Sequence, residues 1–215
     1  MTIVDVAGKE RAPERTRARL LDAAKHLFAG HGLHGVAVAD IARRAKVSVG
    51  MINHHFGGKV ELYRACLDEF ADIRLRALDR FLAPPESREE MLVRLKLLVA
   101  ELLDVHLAHP DVVAILLRDV NSAEIWGPEL ERKLYEFTPR LARFFAQGKK
   151  LGMLREDVDP IVVASIIYMS LSALLQADSH RLRVSRTSLR DENTRTKLVA
   201  QLLDVVLYGA LPGRT

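Results

Sequence analysis

Apolar residues recur at three- and four-residue spacing almost from end to end, and sustained alternation is nearly absent. That period predicts helices and no sheet. Leu20, Leu21, Ala24, Leu27 and Phe28 form one stripe of a first helix over about 14–30, preceded by Pro13 and stopped by Gly30, Gly32 and Gly35. Residues 1–12 read as a loose charged tail. Two short helices are expected at about 38–45 and 49–55. A long one follows from about 59 to 82, between Gly57-Gly58 and Pro84-Pro85. Ser87 with Glu90 three residues on is a capping-box pattern, which opens a helix to about 108. A helix of about 111–121 comes after the break at His109-Pro110. Trp126-Gly127 marks a loop, and the next helix runs from Pro128 to about 147, where Pro139 should kink or split it. Asp159 followed by Pro160 is an N-cap with proline at N1, starting a helix over 160–178. Residues 180–192, polar and Arg-rich, read as a mobile loop. A last helix covers about 193–208 and stops at Gly209. The sum is an all-α protein of about nine helices.

Composition narrows the class. The chain has 215 residues, 49% hydrophobic and 28% charged, which is globular rather than disordered. Its one cysteine, Cys66, leaves no intramolecular disulfide framework and no Cys-rich zinc site, and fits a reducing compartment. The first residues lack the charged-then-apolar order of an export signal, so a cytoplasmic location is expected. Pro160 to Ala177 carries no charge and approaches the length of a bilayer span. It contains Ser165, Ser170, Ser172 and Gln176, and reads as a buried helix, with no membrane partner.

Net charge is +4. Its distribution says more than its sum. Residues 9–64 hold 11 Lys/Arg against 5 Asp/Glu, a net of +6, and residues 65–215 come to −1. A polyanion partner is therefore expected for the N-terminal quarter, with a neutral body behind it.

Within that quarter, Val38, Ile41, Ala42 and Ala45 share one helical face. A three-residue turn, Lys46-Val47-Ser48, follows. Ser48 is placed to cap the next helix, whose inward face is Met51 or Ile52 together with Phe56. This is the spacing of a helix-turn-helix over about 38–56, whose second helix lies in a DNA major groove. Residues 15–63 resemble the DNA-binding domain of the TetR family of transcriptional regulators. The resemblance rests on Leu27–Gly32 (LFAGHG), Asp40-Ile41-Ala42, Val47–Gly50 (VSVG), His54–Phe56 (HHF) and Gly57–Tyr63 (GGKVELY).

The resemblance implies a DNA-binding domain over 1–58, with a three-helix head, and a larger helical ligand-binding and dimerisation domain over 59–215. It implies a recognition helix at about Val49–His55. Gly50 would let the backbone approach DNA, Val49 and Met51 would meet thymine methyls, and Asn53 would pair with adenine or reach phosphate. His54, His55 and Lys59 would contact phosphates, as would Arg43, Arg44 and, on the first helix, Arg17; Ser48 belongs to the same set. The family often has Lys at the position of Val49, Tyr at that of Asn53, and Thr or Ser where Ala37 and Val38 stand. The recognition helix thus lacks Lys and Arg, and a capping hydroxyl is missing at the start of the helix that precedes it.

The resemblance also implies a homodimer on a palindromic operator and a small-molecule effector inside the body. The apolar helix 160–178, with Ala164, Ile167, Leu171, Leu174 and Leu175, and the last helix, with Leu202, Val205 and Val206, are candidates for the interface. Plain core is the competing reading of both helices. Leu102, His106, Leu117, Phe137, Phe144, Tyr168 and Met169 are candidate linings of the ligand site, and their character favours a largely apolar effector. His106 and His109 also fit a solvated helix end. No metal, cofactor or enzymatic activity is expected: no Glu stands three residues before a His, and no phosphate loop or nucleophile elbow is present. The function expected is a DNA-binding transcriptional regulator, a repressor released by its ligand. The alternative is a helical ligand- or partner-binding module with a weakened DNA-binding head.

Overall fold

The computed structural model describes residues 6–118 and 123–208, and among them every regular element is a helix. These are α1 (Val6–His31), α2 (Val38–Ala45), α3 (Gly50–Phe56), α4 (Lys59–Phe81) and α5 (Arg88–Ala108). They are followed by α6 (Pro110–Arg118), α7 (Ala123–Tyr135), α8 (Phe137–Lys150), α9 (Pro160–Ser185) and α10 (Glu192–Tyr208).

The described residues thus hold ten helices, not about nine. The added one comes from Pro139, which cannot donate to the Tyr135 carbonyl. The helix splits there, and Pro139 falls in the first turn of α8, where N–H groups have no intrahelical partner anyway. Gly127, at φ 73° and ψ 164°, breaks α7 internally where a loop was expected. At the other end, α1 begins at Val6 instead of about 14 and contains Pro13. Ala7, Lys9, Glu10 and Arg11 have high helix propensity, and the helix crosses the proline at the loss of one backbone donor. The remainder of the expected tail, residues 1–5, lies outside the described residues, as does Gly209.

The first half of the Arg-rich segment expected as a loop is helical. α9 runs on to Ser185 and ends at Arg186 in the left-handed conformation, φ 54°. The turn beyond is held from within. The Asp178 carboxylate accepts the Ser188 hydroxyl at 2.9 Å and the Leu189 N–H at 2.6 Å, and Leu189 is fully buried. Asp191 then accepts the Thr194 N–H at 2.7 Å, an N-cap for α10. Two start signals behave as the sequence indicates. The Asp159 carboxylate accepts the Ile161 N–H at 2.9 Å, and the Ser87 hydroxyl accepts the Glu90 N–H at 3.1 Å. The Glu90 carboxylate reaches back one residue further than a standard capping box, to the Glu86 N–H at 2.7 Å.

The chain forms two compact units. One comprises the chain up to Ala71 together with His109–Glu131. Its core draws Leu20, Leu21, Ala24 and Phe28 from α1, Ile41 and Ala42 from α2, Ile52 from α3, Leu62, Tyr63 and Leu67 from α4, and Ile115 from α6. Phe28 and Tyr63 meet edge to face at 5.1 Å. At the end of α1, the Arg118 guanidinium donates to the carbonyls of Phe28, at 2.8 Å, and Ala29. The Phe28 carbonyl also accepts the Gly32 N–H at 2.9 Å, so α6 adds a side-chain cap to the backbone one.

The other unit comprises Asp72–Ala108 and the chain from Arg132 onward. Leu78, Met91, Leu95, Leu98, Leu102, Leu141, Phe145, Ala164, Ile167 and Leu203 form its core. α9 illustrates how that core is divided from solvent. Its Pro160–Asp178 stretch has a mean hydropathy of 1.8, apolar enough by length and composition to cross a membrane. One side of it, Val163, Ala164, Ile167 and Leu171, is packed into the core. Three of the residues expected at a dimer interface, Ala164, Ile167 and Leu171, therefore lie inside the chain's own core. Leu174, Leu175, Leu202 and Val206 are half-buried at its edge. Val162, Ile166, Met169 and Ala173 of α9 face outward at four- and three-residue spacing, and Val205 of α10 is 78% exposed.

Candidate nucleic-acid interface and internal cavity

The turn between α2 and α3 is built by backbone geometry. Lys46 adopts the left-handed conformation, φ 55° and ψ 48°. Its N–H donates to the Arg43 carbonyl at 3.1 Å, and the Val47 N–H donates to the Ala42 carbonyl at 3.0 Å. This Schellman pattern ends α2 and redirects the chain within three residues. α2 starts without a side-chain cap, because Ala37 stands at the N-cap. α3 likewise has no side-chain cap. Its N-cap is Val49, and Ser48, expected to cap it by side chain, contributes its carbonyl to the Met51 N–H at 3.1 Å.

Ile52 is the side chain of α3 that anchors it, fully buried, while Met51 and Phe56 are half-buried. The opposite face presents Val49, Gly50, Asn53 and His54 to solvent. These four stand at i, i+1, i+4 and i+5, so they share one side of the helix. His55 departs from this set. Its ring lies between those of His54 and Phe56, at 5.0 and 6.3 Å, and its Nε2 is buried. It helps seat α3 more than it extends the exposed face.

The flanking cations are held in different ways. Arg44 is exposed, and Arg43, also exposed, is ion-paired with Asp40 on the same helix. Arg17 stacks over the Phe56 ring at 5.3 Å and pairs with Glu69 at 3.2 Å, which fixes it beside α3. Lys59, at the start of α4, donates from Nζ to the Val36 carbonyl at 3.0 Å. That bond ties α4 to the segment that leads into α2. Sequence reasoning treated Arg17 and Lys59 only as phosphate ligands and missed these tethers. Neither motif nor periodicity encodes a contact across dozens of residues.

In the other unit, a small cavity lies among α4, α5, α8 and α9. Four of the seven expected lining residues meet there: Leu102, His106, Phe137 and Tyr168. Leu117 lies on α6 in the first unit, Met169 is 69% exposed, and Phe144 borders a surface cleft with Leu78 and Arg140. His106 is part of the cavity wall, not of a solvated helix end. Its Nδ1 donates to the Leu102 carbonyl at 2.5 Å.

The residue that the sequence did not single out is Arg74. It is only 4% exposed and lines the cavity from α4. Its guanidinium carbon sits 5.7 Å from the centre of the Phe137 ring and 5.8 Å from that of Tyr168. Burial pushes its pKa below the usual guanidinium value, opposed by its hydrogen bond with the Tyr168 phenol. An arginine within the uniformly helical pattern of 59–82 gives no sequence signal that it points inward.

The family model described as bacterial regulatory proteins of the tetR family matches residues 20–66. The transcriptional regulator UidR of Escherichia coli K12 is 31% identical over 152 residues, covering 71% of this chain and 76% of UidR. The transcriptional repressor SCO4008 of Streptomyces coelicolor is 26% identical over 178 residues, covering 81% of this chain and 86% of the relative. Among solved structures, the ketosteroid transcriptional regulator KstR2 of Mycobacterium tuberculosis superposes with a TM-score of 0.71 at 22% identity. That match covers 92% of this chain and 95% of the other. These last three comparisons extend well beyond the helix-turn-helix.

Proposed function

The chain belongs to the tetR family of bacterial regulatory proteins, and from that premise we propose that it works as a homodimeric repressor. Each copy reads half of a palindromic operator, and a small molecule bound in the helical body releases it. DNA reading is assigned to residues 1–58, and sensing and dimerisation to 59–215.

The observation that carries the reading is the solvent face of α3. Val49, Gly50, Asn53 and His54 form a strip without Lys or Arg, with Arg17, Arg43, Arg44 and Lys59 on the neighbouring elements. Cations beside the strip attract the phosphate backbone regardless of sequence, and the strip itself meets base edges. Apolar contact with thymine methyls, and Asn53 with adenine, are the chemistry it offers. A single short helix reads only a few base pairs. Two copies related by a two-fold axis double the site and give it the symmetry of a palindrome.

The outward apolar stripe of α9, with Val205 of α10, is the surface we assign to the partner copy. The ligand site is the cavity of the body. Release follows as a population shift, since a ligand that binds better to a form unable to fit successive major grooves lowers operator affinity by the same factor. The protein acts in the cytoplasm, where its DNA is.

Titrating the full chain with its own promoter DNA at rising salt tests this. A steep loss of affinity with salt, and a retained preference for a palindrome over scrambled DNA of equal length, are expected. Absence of DNA binding at low salt overturns it.

A further inference from the structure

α7 is broken at Gly127, and the break is held from α4. Gly127 stands at φ 73° and ψ 164°, a backbone conformation that only glycine adopts at low cost. In an unbroken helix the Ile125 carbonyl would accept from the N–H four residues on. Here it accepts from Arg64 Nε at 2.7 Å, a part-buried, charge-assisted bond. The guanidinium lies against the break, its carbon 3.8 Å from where a Cβ on Gly127 would stand. It also donates from Nη1 to the Glu61 carboxylate at 3.1 Å. Glu61 in turn lies over the turn that joins α3 to α4. Its Oε2 is 3.6 Å from the Cβ position of Gly58, and its Cγ is 4.0 Å from that of Gly57. Gly57, left-handed at φ 84°, closes α3 by donating its N–H to the Asn53 carbonyl at 2.9 Å. These contacts lead from Ile125 on α7, through Arg64 and Glu61, to the end of α3 that carries Asn53 and His54.

We propose that Arg64 is a positioning residue for operator binding, bracing the Gly57-Gly58 turn against α7 and so fixing the pose of α3. This rests on the reading of α3 as the helix that meets base edges. Two successive glycines give that turn more conformational freedom than any other pair of residues would, so a side-chain brace has something to restrain. Arg64 acts through Glu61 and the turn, not by touching bases itself. Its place in the chain adds weight. Among the described residues, α4 and α7 are the two helices that pass from one compact unit into the other, after Ala71 and after Glu131. Arg64 joins these two helices within the unit that holds α3.

The full chain is titrated with its own promoter DNA and with scrambled DNA of equal length, and the ratio of the two affinities is read. Arg64→Met removes a positive charge and Glu61→Gln a negative one. Acting through charge alone, they would shift affinity for both DNAs in opposite directions and leave the ratio unchanged. As parts of one brace they lower the ratio together. Arg64→Met is expected to lower it on the order of tenfold, the worth of a charge-assisted hydrogen bond, and Glu61→Gln about two- to threefold, the worth of an exposed ion pair. The double variant should be no worse than Arg64→Met, because both changes break one path. Arg64→Lys, with one nitrogen to serve two acceptors, should fall between wild type and Arg64→Met. Binding is read well below each variant's denaturant transition, where a fold that is merely less stable leaves the ratio unmoved. Should Arg64→Met fail to fold, Glu61→Gln and Arg64→Lys carry the test. An unchanged ratio in those two, or additive losses in the double variant, overturns the role of Arg64. A wild-type chain that does not prefer its promoter to scrambled DNA overturns the reading of α3 itself.

Discussion

The Lys59 ammonium lies 3.0 Å from the Val36 carbonyl oxygen, so a residue expected to touch DNA also fastens the first turn of α4 to the segment before α2. Lys59→Ala should therefore do two things. Loss of the tether lowers stability by about 1 kcal/mol, read from the denaturant midpoint. Loss of one phosphate contact from each copy reduces the slope of log K against log salt by about 0.9 per copy, about 1.8 for the dimer. A shifted midpoint with an unchanged slope would confine Lys59 to the tether.

Lys46 holds a left-handed conformation that glycine adopts without a Cβ penalty. Lys46→Gly should stabilise the protein by about 0.5–1 kcal/mol, after the extra chain entropy of glycine is subtracted. Hydrogen exchange of the Val47 and Ser48 amides should slow in parallel. A loss of stability would mean that the Lys46 side chain contributes more than its backbone costs.

Ala37 leaves the N-terminus of α2 without a side-chain acceptor. Ala37→Thr should add about 0.5–2 kcal/mol by capping it. Non-specific DNA affinity should also rise if the hydroxyl reaches a phosphate. Denaturation and salt-dependent binding on one preparation separate the two effects.

The helix types and most of their starts were legible because they depend on local chemistry. Ser87, Asp159 and Pro160 mark helix ends within a few residues of themselves, and the α3 period narrowed its buried anchor to Met51 or Ile52. The remainder depends on distance along the chain. Ala164, Ile167 and Leu171 look like any apolar stripe, and only packing shows that this side faces the chain's own core while Val162, Ile166 and Met169 face out. Arg74 was illegible for the same reason: exposed and inward arginines read alike in sequence. The Asp178 clamp on residues 188 and 189 turned a polar loop into a fixed turn, because a carboxylate one residue beyond the apolar run carries no mark of its partners.

Met169 and Val205 are 69% and 78% exposed on the stripe assigned to a second copy. Met169→Asp with Val205→Asp should convert the dimer to a monomer in sedimentation and weaken operator binding, with helical circular dichroism unchanged. Changing Ala164, inside the core, should instead unfold the chain. A dimer that survives the double substitution places the interface elsewhere.

Cys66 is fully buried, and burial pushes its thiol up to about 12 from an ordinary value of 9.0. Alkylation at pH 8 should therefore track unfolding, with native protein protected and denaturant restoring full labelling. Because the folded-state value is the higher one, the native form retains a proton that the unfolded form releases. Stability from this group is intact below about pH 9 and should fall as pH rises from there toward 12. Cys66→Ala should flatten that decline.

The cap on α1 has a consequence for synthesis. Two carbonyls near the end of that helix accept from Arg118, ninety residues downstream of Phe28, and the compact unit containing α3 includes His109–Glu131. Asp72–Ala108 must leave the ribosome before that unit can close, and closing so long an intervening loop carries an entropic cost that short-range helix formation does not. A fragment ending at Ala71 carries the whole helix-turn-helix and still lacks the residues that finish it. The DNA-reading part of this chain is thus contiguous as a motif and discontinuous as a folding unit, so its order of assembly is set by the whole first 131 residues.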